Sequence, residues 1–288
     1  MGKVAVTSDS CSVLSEMGRE HGFAMIPCPI IMDGKTYPDT EIDMNEVYAR
    51  LEAKENMPTT STANVGEFAQ FFGEASREAE AILHISMSSV FSGHHNTALQ
   101  GKKLASEKLL GKRIEVIDSR CVGTGVSLIA IEAAKAAAQG KNIDEIMELV
   151  NGIIPRVSLL LARDTLFYQA EGGRIFEART WAEAESTTSF RSITEADAST
   201  GGALKPIARA KTVAQIIDKL VEVTKERGKN KKLHGIIGHT RASDRAEKLE
   251  QMLLSELEFD WLHVAEESAS VAIHGGLGLI DYSFCDSD

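Results

Sequence analysis

The sequence predicts an α/β protein of two domains, the first built on a parallel sheet with helices on both faces. Three observations predict it. The chain has 288 residues, against roughly 100–200 for one domain. Its first half alternates strand-like and helix-like segments, the rhythm of βαβ units. Between Gly152 and Val157 that rhythm gives way to a less regular second half, which places the domain boundary there.

The elements follow in order. Val4-Ala5-Val6 is a short apolar strand that ends in polar Ser8-Asp9-Ser10. Ser12 to His21 reads as a helix. Phe23 to Ile31 is apolar, but Pro27 and Pro29 make it an edge or irregular strand. Asp33-Gly34 marks a turn. Asp43 and Glu46, and again Asn64 and Glu67, have capping-box spacing ahead of helices. Ala81 to Met87 predicts a strand, Gly93 to about Glu107 a helix, Arg113 to Asp118 a strand, and Ala-rich Thr124 to Gln139 a helix closed by Gly140. Beyond the boundary, Val157 to Ala162 predicts a strand and Asp164 to Ala170 a short helix. Glu177 to Gly202 is weakly periodic, with Gly201-Gly202 as a turn between two strands. Val213 to Arg227 and Ser243 to Leu254 predict helices; Leu233 to His239 and Phe259 to Val264 predict strands.

Bulk properties exclude several functions. A formal net charge of −11 repels phosphate backbones and anionic lipid surfaces, so no nucleic-acid partner is expected. Cys11, Cys28, Cys121 and Cys285 are far apart and form no CxxC pair, which leaves zinc and thioredoxin-type chemistry unsupported and suggests reduced thiols. The N-terminus has no signal-peptide layout, and no run approaches the ~18 apolar residues of a spanning helix. A cytoplasmic location is expected, with membrane contact transient at most.

Four local patterns carry chemistry: Pro58-Thr59-Thr60-Ser61-Thr62, Ser86-Met87-Ser88-Ser89-Val90-Phe91-Ser92-Gly93, Glu171-Gly172-Gly173-Arg174-Ile175 and His274-Gly275-Gly276-Leu277-Gly278. Singly, each has a plain structural explanation as a helix cap or turn. Together, hydroxyl donors and the N–H groups of a helix start at Ser92-Gly93 describe an anion site. Neutral donors, one His and no Lys suit a singly charged head group better than a triphosphate.

At these residues the chain resembles the DegV family. The resemblance rests, in order, on Ser8-Asp9-Ser10, Tyr37-Pro38-Asp39, Pro58-Thr59-Thr60-Ser61 with Gly66-Glu67-Phe68, Ser88-Ser89 with Ser92-Gly93, Val116-Ile117-Asp118-Ser119, Gly172-Gly173-Arg174-Ile175 and His274-Gly275-Gly276-Leu277-Gly278. It implies an α/β/α layer with a parallel sheet over residues 1–155, a second α/β domain with a mixed sheet over 156–288, and a lipid site between them. It implies a binding protein, with no cofactor, that buries a long-chain fatty acid, and some members present the acyl chain to a separate fatty acid kinase. Carried over, Thr60, Ser92, Gly93 and His274 hold the carboxylate, with Ser61, Ser89 and Arg174 in support. Phe91, Phe167, Ile175 and Leu277 are candidates for the tail's walls, or for ordinary core.

Two rival readings stand beside it. Ser92, His274 and Asp118 supply the residue types of a hydrolase triad, although no Gly-x-Ser-x-Gly elbow is present. A regulatory protein without lipid predicts a filled interdomain groove. His94 and His95 are adjacent, so on a helix they point about 100° apart and do not share one ion.

Overall fold

The computed structural model describes residues 3–12, 15–185 and 188–287. From the N-terminus, β1 (Val4–Asp9), α1 (Ser15–His21) and β2 (Ala24–Ile26) open a parallel unit. A small antiparallel insert follows, made of β3 (Pro29–Met32), β4 (Lys35–Pro38), α2 (Met44–Ala53) and β5 (Thr59–Thr60), with strand order β4-β3-β5. The parallel pattern resumes through α3 (Val65–Ala75), β6 (Ala81–Ser86), α4 (His94–Ser106), β7 (Arg113–Asp118), α5 (Gly123–Ala138) and α6 (Ile143–Ile153). Its four strands lie in the order β2-β1-β6-β7, every pair parallel.

The second half contains β8 (Ser158–Arg163), α7 (Phe167–Glu171), α8 (Arg179–Glu185), β9 (Arg191–Glu195), β10 (Lys205–Ala210), α9 (Val213–Arg227), β11 (Leu233–His239), α10 (Ser243–Glu256), β12 (Phe259–Glu266), α11 (Ala269–Gly275) and β13 (Ile280–Asp286). Its six strands run β10-β9-β8-β13-β11-β12. Only β11 and β12 are parallel neighbours, so the sheet is mixed. The α/β architecture predicted from sequence, a parallel sheet followed by a mixed one, is the one observed.

Local chemistry explains the elements. Strands β6 and β8 are buried at all six positions, as strands covered on both faces must be. Asn64, Asn142 and Thr212 each close a reciprocal capping box on α3, α6 and α9. Asp43 supplies only half of one, accepting from the Asn45 N–H, because Glu46 turns to Arg50 instead. Helix α5 is buried nearly all round because it packs on β1 of the parallel sheet and on β11 and β13 of the mixed one.

Several details depart from the expectations. Phe23 to Ile31 is not one strand but two, in different sheets. The Pro27-Cys28 break is held by Cys28 N–H, which donates to Ser10 Oγ and Asp39 Oδ1 at 2.8 and 2.9 Å. Helix α6 and strand β13 were not anticipated, and His274 lies in the last turn of a helix rather than in a loop. The two-strand reading around Gly201-Gly202 holds: β9 and β10 pair antiparallel, and both glycines have positive φ. Residues 13 and 14 of the expected first helix, and 186 and 187 of the weakly periodic stretch, lie outside the described residues. No helix among the described residues is long and apolar enough to cross a membrane.

Candidate functional site

The C-terminal ends of β1, β6 and β8 and the last turn of α11 converge on one cavity, where open α/β sheets place their ligands. Its volume is about 230 Å³, somewhat under the roughly 300–1,000 Å³ usual for ligand sites. Its polar part carries Thr60, Ser61, Thr62, Ser92, Arg174 and His274. Met87, Phe91, Val122, Leu161, Val271 and Leu279 give the apolar walls.

Thr60 ends β5, paired with Ile30 of β3, and its Oγ1 lies 2.8 Å from His274 Nε2. Burial pushes the His274 imidazole down to about 4, and the Arg174 and Arg163 cations act in the same direction. At neutral pH the ring is therefore uncharged. With the proton on Nε2 it donates to Thr60 Oγ1, which frees the threonine hydroxyl hydrogen to point at an anion in the cavity.

Ser92 reaches the same cavity from the turn between β6 and α4. Its Oγ accepts from the His94 N–H at 3.3 Å, an arrangement that leaves the Ser92 O–H to donate elsewhere. Gly93 caps α4 beside it, and its N–H belongs to the helix end whose N–H groups lack intrahelical partners. The Gly172-Gly173-Arg174 turn shapes the opposite side. A Cβ on Gly172 would sit 2.3 Å from His274 Nδ1, so the imidazole packs there only against glycine. Gly173 has φ +70°, a left-handed conformation that glycine adopts without steric cost. The Arg174 guanidinium donates to the Gly172 carbonyl within the same turn.

Ser61 lines the cavity, and its backbone carbonyl accepts from the Cys28 thiol at 3.5 Å. Ser89 is placed differently from the expectation of a supporting contact. Its hydroxyl donates to Asp118 Oδ2 at 2.6 Å, and it does not line the cavity. Asp118 also accepts from the Ser89 and Arg120 N–H groups, so it holds its own loop. The hydrolase arrangement of Ser92, His274 and Asp118 is thus not assembled, because His274 is bonded to Thr60 and Asp118 to Ser89. Of the candidate wall residues, Phe91 lines the cavity, whereas Phe167, Ile175 and Leu277 do not.

The sequence reading missed Arg163 and Asp281, which both face the cavity. Arg163 is 4 % exposed. Burial lowers its guanidinium to about 10 against the opposing field of Asp281, and Nη1 donates to Thr194 Oγ1 at 2.6 Å. Burial raises the Asp281 carboxyl to about 6, although Thr124 Oγ1 donates to it at 2.6 Å. The signal available was a cation closing the apolar run Leu159-Leu160-Leu161-Ala162.

Behind the cavity lies a buried charge cluster. Asp9 accepts from the Met87 N–H at 2.8 Å and sits 3.2 Å from His94 Nδ1 and 3.3 Å from His84 Nε2. Burial disfavours a charged His94, yet the Asp9 carboxylate beside it raises the imidazole to about 10.

A family model described as "Uncharacterised protein, DegV family" matches residues 3–286. A DegV domain-containing protein of Clostridium perfringens is 27% identical over 284 residues, covering 98% of each chain. Among solved structures, a DegV family protein from Thermus thermophilus, described for its fatty acid binding, superposes with a TM-score of 0.89 at 20% identity over 99% of each chain. A DegV family protein from Eubacterium eligens, loaded with heptadecanoic acid, superposes with a TM-score of 0.87 at 20% identity, over 99% of this chain and 100% of that one.

Proposed function

The chain belongs to the DegV family, and from that premise we propose that it binds one long-chain fatty acid. The carboxylate sits among Thr60, Ser92, the Gly93 N–H and the His274 side of the cavity, with Ser61 and Arg174 alongside. The tail runs between a first domain, residues 1–155, and a second, residues 156–288. The observation that carries this reading is the Thr60–His274 pair, which meets Ser92 in a single cavity whose remaining walls are largely apolar. The fatty acid binding of the Thermus protein and the heptadecanoic acid in the Eubacterium protein support the same ligand class.

Energetics divide the work between the two ends of the ligand. Burial contributes about 0.8 kcal/mol per CH₂, so a chain of about sixteen carbons gains on the order of 10 kcal/mol before ordering costs. The head group supplies polarity and register instead: an unpartnered buried carboxylate is costly, and hydroxyl and N–H donors reduce that cost. The role is binding rather than catalysis. Thr60, Arg174 and His274 also line a second, outer cleft with Lys54 and Asn56. A carboxylate held there is open to a partner such as a fatty acid kinase.

The test is native mass spectrometry of the purified chain, followed by organic extraction. One fatty acid per chain is expected. A chain that carries no lipid and takes none up from a fatty acid mixture would refute the reading.

A further inference from the structure

Three side chains remote in sequence meet at one wall of the cavity. Cys11 follows β1, Cys28 lies in the break between β2 and β3, and His94 is the first residue of α4. All three are buried, at 7 %, 1 % and 1 % exposure. One donor atom from each lies within 4.8 Å of the other two. A tetrahedral zinc ion, with Zn–S about 2.3 Å and Zn–N about 2.0–2.1 Å, spaces its ligand atoms roughly 3.5–3.8 Å apart. The three atoms are thus within about an ångström of that geometry.

The imidazole is prepared for the role. Its Nδ1 faces Asp9 Oδ1 at 3.2 Å; Nε2 makes no hydrogen bond of ordinary geometry among the described residues, although the Ser61 backbone lies close enough to the ring to favour its charged form. A carboxylate behind a histidine, with the far nitrogen free, is the usual support of a metal-ligating imidazole. Cys11 and Cys28 line the cavity and His94 does not, so a fourth ligand to an ion held among them comes from the cavity side.

We propose that Cys11, Cys28 and His94 bind one thiophilic divalent ion of the zinc class, with its fourth position open to the cavity. On binding, each thiol releases its proton to solvent and forms a metal–sulfur bond. The His94 Nε2 lone pair forms the third bond, and any proton on that nitrogen leaves as well. A dication with two thiolates is neutral overall, which suits a buried site. Magnesium and calcium, which prefer oxygen ligands, are not matched to this donor set. The site does not depend on the fatty-acid reading: metal binding and lipid content are separate measurements.

The test titrates the full-length, metal-stripped chain with Co²⁺ under a non-thiol reductant. The expected result is one equivalent bound, with a near-ultraviolet thiolate-to-cobalt band and the intense visible absorption of a tetrahedral ion, both displaced by Zn²⁺. Cys11→Ser and Cys28→Ser should each reduce the thiolate band to about half, the other cysteine still ligating, and weaken Zn²⁺ binding at least about tenfold. Cys121→Ser and Cys285→Ser should bind as wild type. Circular dichroism checks the fold of each variant. Independently of any variant, Zn²⁺ should protect Cys11 and Cys28 of the wild-type chain from alkylation, read by peptide mass mapping. Absence of stoichiometric metal, a thiolate band of undiminished intensity in both folded variants, or alkylation of Cys11 and Cys28 unchanged by Zn²⁺ would each overturn the proposal. So would a Cys11–Cys28 disulfide that persists under the reductant and excludes the ion.

Discussion

His274 Nε2 lies 2.8 Å from Thr60 Oγ1, a contact that spans 214 positions of the chain. It joins the last turn of the helix Ala269–Gly275 to the short strand Thr59–Thr60, and so ties the region after the mixed sheet's parallel pair to the insert in the first half. The contact orients one hydroxyl, and the nearby Ser92 supplies a second. If that pair holds a carboxylate, its removal has a defined cost.

Thr60→Val and Ser92→Ala should each weaken fatty acid binding by about 1.5–3 kcal/mol, the range for losing a hydrogen bond to a charged group. Calorimetric titration reads this directly. Ser89→Ala is the control, since that hydroxyl serves Asp118; its affinity should stay at the wild-type value.

Chain length tests the apolar wall. Each added methylene should improve affinity by about 0.8 kcal/mol, about fourfold, until the tail outgrows the space. Val271→Trp, which fills part of that wall, should cut off the longest acids first and spare the shortest. Competition binding across a saturated series measures the cutoff.

The imidazole of His274 carries a pH dependence whose sign can be worked out. Its folded-state value, about 4, lies below the 6.5 of an ordinary imidazole. Between those values the unfolded chain binds the proton and the folded chain does not, so this residue's contribution to stability is complete above about 6.5 and declines as pH falls toward 4. Asp281 works the other way, because burial raises it to about 6. The prediction is therefore a difference: urea unfolding of wild type minus His274→Gln should lose its margin on acidification. A difference that stays constant between neutral pH and 4.5 would contradict it.

The two glycines of the Gly172-Gly173-Arg174 turn should separate stability from binding. Gly172→Ala drives a Cβ into His274 Nδ1 and should lower both fatty acid affinity and stability, the latter by about 1–3 kcal/mol. Gly173→Ala meets no atom within 4 Å but has φ +70°. It should cost about 1 kcal/mol in stability and leave affinity close to wild type.

The parallel sheet was legible because its inner strand Ala81–Ser86 is covered on both faces and carries the apolar run that such burial demands, while the edge strand Arg113–Asp118 keeps apolar residues at Ile114, Val116 and Ile117. The closing strand Ile280–Asp286 was missed although Ile280, Tyr282 and Phe284 alternate with Asp281 and Ser283. That pattern implies a polar face toward solvent, yet Asp281 and Ser283 are fully buried, and Asp281 is tolerated through partners such as Thr124 from the helix Gly123–Ala138. A hydroxyl-rich loop announces donors but not their directions, so only the family resemblance set Ser92 apart from Ser89, and Ser89's turn to Asp118 was visible only in the structure. Thr60 and His274 could be linked only through family resemblance, since nothing local connects them. Cys11 and Cys28, without a CxxC spacing, meet because β1 and the break after β2 lie side by side.

A crystal structure of the chain loaded with a long-chain fatty acid tests the central claim most directly. The account predicts carboxylate oxygens within hydrogen-bond distance of Thr60 Oγ1 and Ser92 Oγ, with the tail along Met87, Phe91 and Leu161. A carboxylate paired with Arg163 and a tail pointing toward Thr60 would contradict it.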